Sequence, residues 1–220
     1  MARTPRNRQS LNRRGPRREP YDRVLIVCEG EKTEPNYLIE LISQWKLSSA
    51  NVKITGDGGS APESVIEYAI QRFEASPDYD RVYCVIDRDS HPNFSEAVER
   101  VKQKTLTLRE GRKKLGKAHF EAIVSIPCFE YWILLHYRYS TAPMARFADV
   151  RPWLHQIPEL ADYDKGRKRL FALTEPKLQT ALTNAERANR EAAEANTDNP
   201  TTQMPNLIRY LRELADRKNG

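Results

Sequence analysis

Hydrophobic residues in this chain fall into short, unbroken, β-branched runs separated by longer stretches with helical spacing. Val24 to Cys28 (VLIVC) lies between Arg23 and Glu29-Gly30, the pattern of a strand buried on both faces. Thr33 or Glu34 then opens a helix whose apolar positions Tyr37, Leu38, Leu41, Ile42 and Trp45 recur at three and four residues, with Pro35 tolerated in the first turn. Val52 to Thr55 is a weaker strand, followed by the loop Gly56-Asp57-Gly58-Gly59 and a helix through Val65, Ile66, Ala69, Ile70 and Phe73. Arg81 to Ile86 (RVYCVI) repeats the buried-strand signature, runs into Asp87-Arg88-Asp89, and leads to a helix carrying Phe94, Ala97, Val98 and Val101. Ala122 to Ile126 reads as a fourth strand that Pro127 stops, and Phe129 to Tyr137 as a helix apolar enough to be buried on most sides.

Strands alternating with helices predict an α/β fold, a parallel sheet of about four strands covered by helices on both faces. Beyond Ala142 the strand signals vanish, and residues 147–154, 165–173, 176–194 and 206–216 read as helices. The expected organisation is an Arg-rich disordered tail over 1–20, an α/β core over 21–140 and a helical extension over 141–220 packed on that core.

Composition narrows the classes. Of 220 residues, 39% are hydrophobic and 30% charged, and no stretch approaches the roughly 18 apolar residues of a membrane helix. The formal net charge of +6 lies entirely in the first twenty residues, where seven arginines face Glu19 alone. That tail is too polar to bury a core and suits sequence-independent attachment to phosphates. It also lacks the apolar stretch of a signal peptide. The three cysteines, Cys28, Cys84 and Cys128, are odd in number and sit in apolar surroundings, which suits reduced thiols and a cytoplasmic location. No two Cys or His fall at zinc-ligand spacing.

Ligands of open parallel sheets bind beyond the carboxyl ends of the strands, and three strand ends here carry acids. The first gives Glu29, with Glu31 and Glu34 following, the third gives Asp87 and Asp89, and the fourth leads to Glu130. On a continuing strand Asp87 and Asp89 point to the same side about 7 Å apart, and such hard oxygen ligands favour Mg²⁺ or Mn²⁺. Carboxylates gathered at one edge repel each other unless a cation sits among them. Gly30-Glu31-Lys32-Thr33 is not a P-loop, because the glycine required at position 26 is Ile26. Gly56 to Gly59 is a weak phosphate cradle and more simply a tight turn. The histidines are scattered, and His91, two residues past Asp89, is the one nearest the acids in sequence. Seven cations between Lys102 and Lys117, with Glu110 as the only acid, read as a solvated helix face, with a phosphate backbone as the other reading.

The segments Val27-Cys28-Glu29-Gly30-Glu31-Lys32-Thr33-Glu34, Val85-Ile86-Asp87-Arg88-Asp89-Ser90-His91 and Ile126-Pro127-Cys128-Phe129-Glu130-Tyr131-Trp132 together resemble the RloB-like (AbiLii-like) family of bacterial defence and abortive-infection proteins. The resemblance runs from about Arg23 to near the end, with one departure: Ile126 stands where the family commonly has Asn before the proline. It implies a Toprim-like (Rossmann-like) fold in which Glu29, Asp87 and Asp89 bind Mg²⁺. It also implies phosphoryl transfer or cleavage of DNA or RNA in anti-phage defence, beside an ATPase partner. In that scheme Glu29 is also the catalytic acid or base, and Glu130 completes the shell or orients a ligand. The rival expectation is a non-catalytic subunit that senses a nucleic acid or nucleotide and regulates the ATPase.

Overall fold

The computed structural model describes residues 22–47, 52–89 and 91–219, so the expectation for the Arg-rich tail lies outside the described residues. The elements run β1 (Val24–Cys28), α1 (Thr33–Gln44), β2 (Val52–Thr55), α2 (Pro62–Ala75), β3 (Arg81–Asp87), α3 (Phe94–Gln103), β4 (Thr107–Glu110), β5 (Lys113–Lys117) and β6 (His119–Ile126). After these come α4 (Phe129–Leu135), α5 (Phe147–His155), α6 (Leu170–Thr174), α7 (Leu178–Glu194), β7 (Thr201–Thr202) and α8 (Met204–Asn219).

The result is the mixed α/β architecture that the periodicity predicts. The main sheet has five strands in the order β2-β1-β3-β6-β7; the first four are parallel and β7 is antiparallel to β6. Strand alternation sorts the side chains into two layers. Val24, Ile26, Cys28, Tyr83, Val85 and Ile123 pack with α1 and the helices after β6, whereas Leu25, Val27, Val82, Cys84, Ile86 and Val124 pack with α2 and α3. Both faces of β1 and β3 are thereby removed from water, which is why these strands are apolar without interruption. Among the described residues no helix is long and apolar enough to cross a membrane.

Helix α4 is buried at all seven positions, and its Trp132 Nε1 donates to the Tyr37 hydroxyl of α1 at 3.1 Å. Residues of α5, α6, α7 and α8 belong to the same buried cluster as β1 and α1, so the C-terminal helices and one face of the sheet share a single core.

The structure departs from the sequence reading at three places. The basic run after α3 is not a helix face but an antiparallel hairpin, β4 and β5, forming a separate two-stranded sheet. The helix expected over 165–173 is shortened to α6, because Gly166 (φ 84°) and Arg169 (φ 58°) adopt left-handed backbone. A fifth strand, β7, was not foreseen, since a two-residue strand carries no periodic signal.

Strand β7 is secured by side chains on both flanks. Asn189 of α7 donates from Nδ2 to the Thr202 carbonyl (2.8 Å) and accepts from the Thr202 amide (3.0 Å), supplying the pairing of a neighbouring strand. On the other flank Ser125 and Thr202 hydroxyls share a hydrogen bond of 3.0 Å, and the Val124 amide donates to the Gln203 side chain at 3.0 Å. Replacing Asn189 with Ala strips partners from the Thr202 amide and carbonyl, and unfolding in urea is expected to show a loss of about 1–3 kcal/mol. An unchanged midpoint and slope would show that β7 is held without α7.

Candidate active site

The order of strands dictates where the site lies. The chain crosses from β1 outward to β2 through α1, then returns across β1 to β3 through α2. The direction of winding therefore reverses between β1 and β3, and the crevice of such a sheet opens beyond their carboxyl ends. Cys28 is in register with Val85, and the Glu29 amide donates to the Val85 carbonyl at 3.0 Å, so the ends of the two strands are bound together. The Asp87 amide in turn donates to Glu29 Oε2 at 3.0 Å. The backbone amide of Phe129, the first residue of α4, favours the charged form of Asp87. The Asp89 amide donates to the Pro127 carbonyl at 3.0 Å, tying the exit of β3 to the start of α4.

Glu29, Asp87 and Glu130, all singled out from sequence, are thus brought to one edge, where the charges of Glu130 and Glu29 add to burial in raising the Asp87 pKa. Asp89 is placed differently from the expectation. β3 ends at Asp87 and Asp89 has a φ of 33°, so the two aspartates are not related by strand alternation. Asp89 stands at the partly buried rim, where its charge still raises the Glu29 pKa.

Glu34 joins the cluster from the first turn of α1. It is 6% exposed, and a Cβ at Gly30 would collide with its carboxylate, so the glycine makes room for the acid. Burial lifts its pKa to about 7, with the charges of Glu130 and Glu29 adding to the effect. Asp87 is raised well above the usual carboxylate range by burial first and then by Glu34, Glu130 and Glu29. Burial also raises Glu29, although the Asp87 amide and His91 oppose it. Two oxygens of this cluster, Asp87 Oδ1 and Glu130 Oε2, are buried without a hydrogen-bond partner among the described residues. Burial pushes up the Cys28 and Cys128 thiols beneath the acids as well, which leaves them protonated and poorly nucleophilic.

Around the acids stand residues that the sequence reading left out. Tyr163, buried and 33 residues away in the chain, donates its hydroxyl to Glu130 Oε1 at 3.1 Å. Gly166 donates its amide to Thr33 Oγ1 at 2.8 Å, closing the same loop over the start of α1. Between them, burial disfavours a charge on Lys165, but the negative field of Glu130 and Asp87 prevails and raises its pKa. The only sequence hint was a polar, glycine-containing segment from Tyr163 to Arg167 between apolar helices. His91 is brought to the site: its Nε2 lies 3.1 Å from Glu29 Oε1. Arg88 pairs with Asp198 at 2.6 Å. In the glycine loop, Gly56 and Gly58 allow close approach to Gly30 and to Val27 and Val65. With Asp57 and Glu31 lining the adjacent cleft of about 290 Å³, the loop mouth is anionic and ill suited to phosphate.

The donor set is chemically fit for a hard divalent cation: it consists of carboxylate oxygens, two of them buried and unsatisfied. Among the described residues no group of three or more His, Cys, Asp or Glu already stands at ligand spacing, so holding an ion requires side-chain reorientation.

The raised Glu34 pKa has a defined consequence. Below pH 4.5 the group is protonated in both states; above that the unfolded chain ionises while the folded protein keeps the proton until about 7. Folded-state stability is lost across that window as pH rises, on the order of 3 kcal/mol at about 1.4 kcal/mol per pKa unit. Buried His136, with its pKa lowered by burial from 6.5 to about 4, contributes the opposite trend over nearly the same range. The difference between Glu34→Gln and wild type isolates the first effect. In metal-free buffer the variant should gain stability relative to wild type between pH 4.5 and 7; parallel curves would show that folding does not raise the Glu34 pKa.

Comparison with curated proteins gives no match, and neither does comparison with solved structures. The family model for RloB-like proteins matches residues 24–211, a span that contains every strand end described above as well as Tyr163, Lys165 and β7. The chain belongs to the RloB-like protein family.

Proposed function

We propose that this protein is a Mg²⁺- or Mn²⁺-dependent nuclease of the Toprim type, hydrolysing phosphodiesters of DNA or RNA in bacterial anti-phage defence beside an ATPase partner. One observation carries the chemical part: the ends of β1 and β3 and the start of α4 gather carboxylates, two of whose oxygens are buried without a partner. Such an arrangement is costly without a counter-charge. The defence role and the ATPase rest on the family resemblance.

In this reading Asp87, Asp89 and Glu29 hold the cation, with Asp87 the most enclosed of them. When bound, the cation supplies Lewis acidity toward a phosphate oxygen and eases ionisation of water. Glu29 moves the proton, and its raised pKa suits that task at near-neutral pH. His91 orients the Glu29 carboxylate through Oε1 while the Asp87 amide fixes Oε2. Glu130, fixed by the Tyr163 hydroxyl, keeps its other oxygen free to complete the shell.

Two measurements separate the roles. Calorimetric titration with Mn²⁺ and Mg²⁺ should show binding to wild type that is lost in the Asp87→Ala, Asp89→Ala double variant; equal affinity in both would remove the metal assignment. Glu29→Gln should retain some metal affinity while single-turnover cleavage of labelled DNA or RNA slows by about 10²- to 10⁴-fold. Metal binding without cleavage of DNA, RNA or tRNA, with or without the ATPase, would leave the protein as a sensing subunit.

A further inference from the structure

We propose that the β4–β5 hairpin is a duplex-DNA-binding ribbon, which deepens the nucleic-acid reading above and rests on it. The root of the hairpin is anchored: Leu106, Leu108 and Ala118 are buried with α2 and α3, the Ala118 amide donates to the Leu106 carbonyl at 2.8 Å, and the Arg109 amide donates to the Pro77 carbonyl at 2.8 Å. Beyond the root every residue from Arg109 to Lys117 is exposed, and nothing lies within 4 Å of a Cβ placed at Gly111 or Gly116. Among the described residues the ribbon therefore projects from the body beyond its root, although an isolated two-stranded hairpin is marginal in water.

Its charges are arranged against its own stability. Arg109 sits directly across from Lys114, a like-charge pair that costs roughly 0.2–1 kcal/mol. Arg112, Lys113, Lys114 and Lys117 add to the field, and Glu110, opposite Lys113, is the only acid in the ribbon. None of the five cations forms an ion pair with a described residue. An external polyanion relieves that repulsion. A two-stranded ribbon fits the major groove of B-form DNA, about 12 Å wide, and the paired Arg109 and Lys114 put a cationic face against its phosphate wall.

The hairpin is not part of the carboxylate edge. It joins the amino end of β6, whereas the acids lie beyond its other end, eight residues away, or about 25 Å along an extended strand. It therefore acts on binding, away from the chemical step.

The test separates this inference from the nuclease reading. Duplex-DNA affinity is measured in EDTA, without turnover, across a salt series, for wild type and for Arg109→Gln, Arg112→Gln, Lys114→Gln, Lys117→Gln combined. The variant should keep the wild-type melting temperature or exceed it, lose at least about 10-fold in affinity, and show a log-log salt slope shallower by about 2–4, at about 0.9 per phosphate contact. Changing Lys114 and Lys117 to Arg should leave the slope intact. If cleavage occurs, KM should rise with kcat unchanged. Unchanged duplex affinity and slope would overturn the inference even in an active nuclease, as would loss confined to single-stranded DNA or to poly-glutamate as a probe for an acidic protein partner. A shallower slope with no cleavage by either protein would sustain the ribbon and refute the nuclease.

Discussion

Parallel pairing of β1 with β3 in the middle of the sheet is the constraint on which the rest of the molecule depends. Both strands are covered on two faces, so every side chain within them must be apolar or well paired, and VLIVC and VYCVI satisfy that. A polar residue is admitted only where the ladder stops. Glu29 and Asp87 occupy those positions, and the register that matches Cys28 to Val85 sets their separation. The same pairing forces the chain to wind outward through α1 and back through α2, which opens the crevice at the point where the acids emerge.

Placing acids there is unfavourable for folding alone. Glu34, Asp87 and Glu130 are each nearly inaccessible; burial raises the pKa of Glu34, with the Glu130 charge adding to it, and burial raises that of Asp87, with the charges of Glu34 and Glu130 adding to it. A carboxylate in such a setting normally has donors to each oxygen. Here Glu29 has two, the Asp87 amide and His91, while Asp87 and Glu130 each keep one oxygen unserved. The stability comes from elsewhere: a core running from β1 and α1 through α4 to α8, in which Trp132 hydrogen-bonds Tyr37 and both rings are fully buried. Strain concentrated at one edge and offset by a large apolar core is the arrangement expected where binding of a charged ligand restores the balance.

Much of this was legible in the sequence because the signals are local. Short apolar runs marked the four parallel strands, three-four spacing marked α1 to α3, and acids following three of those runs marked the strand ends. What escaped was either too short or too distant. β7 has two residues and is defined by Asn189 and Ser125 rather than by its own pattern. The β4–β5 hairpin carries Leu108 and Leu115 among cations, so its alternation was masked by charge, and the glycines at 111 and 116 were the signals of turn and bend. Asp89 left the strand because the backbone turns at its left-handed φ, which a D-x-D spacing does not reveal. Tyr163 and Lys165 depend on a loop whose geometry is set by Gly166 and its bond to Thr33, a contact spanning 133 residues that no local period encodes.

That last contact changes how the C-terminal helices should be understood. Had they merely covered one sheet face, apolar residues on α5 to α8 would have sufficed. Instead the loop before α6 sends a hydroxyl to Glu130, a backbone amide to Thr33 at the start of α1, and an ammonium into the field of Asp87 and Glu130. The loop is fixed from both sides, since Glu40 of α1 also accepts the Phe171 amide at 2.9 Å. The acids at the edge are therefore positioned by segments spread along the chain: Glu29 and Glu34 by the first βα unit, Asp87 by the pairing of β1 with β3, and Glu130 by α4 and Tyr163. Because Tyr163 and Trp132 bind α4 and α1 into one unit, loosening the C-terminal helices would reach the acids before it reached the sheet. The carboxylate edge is complete only when the loop before α6 is docked against α1 and α4.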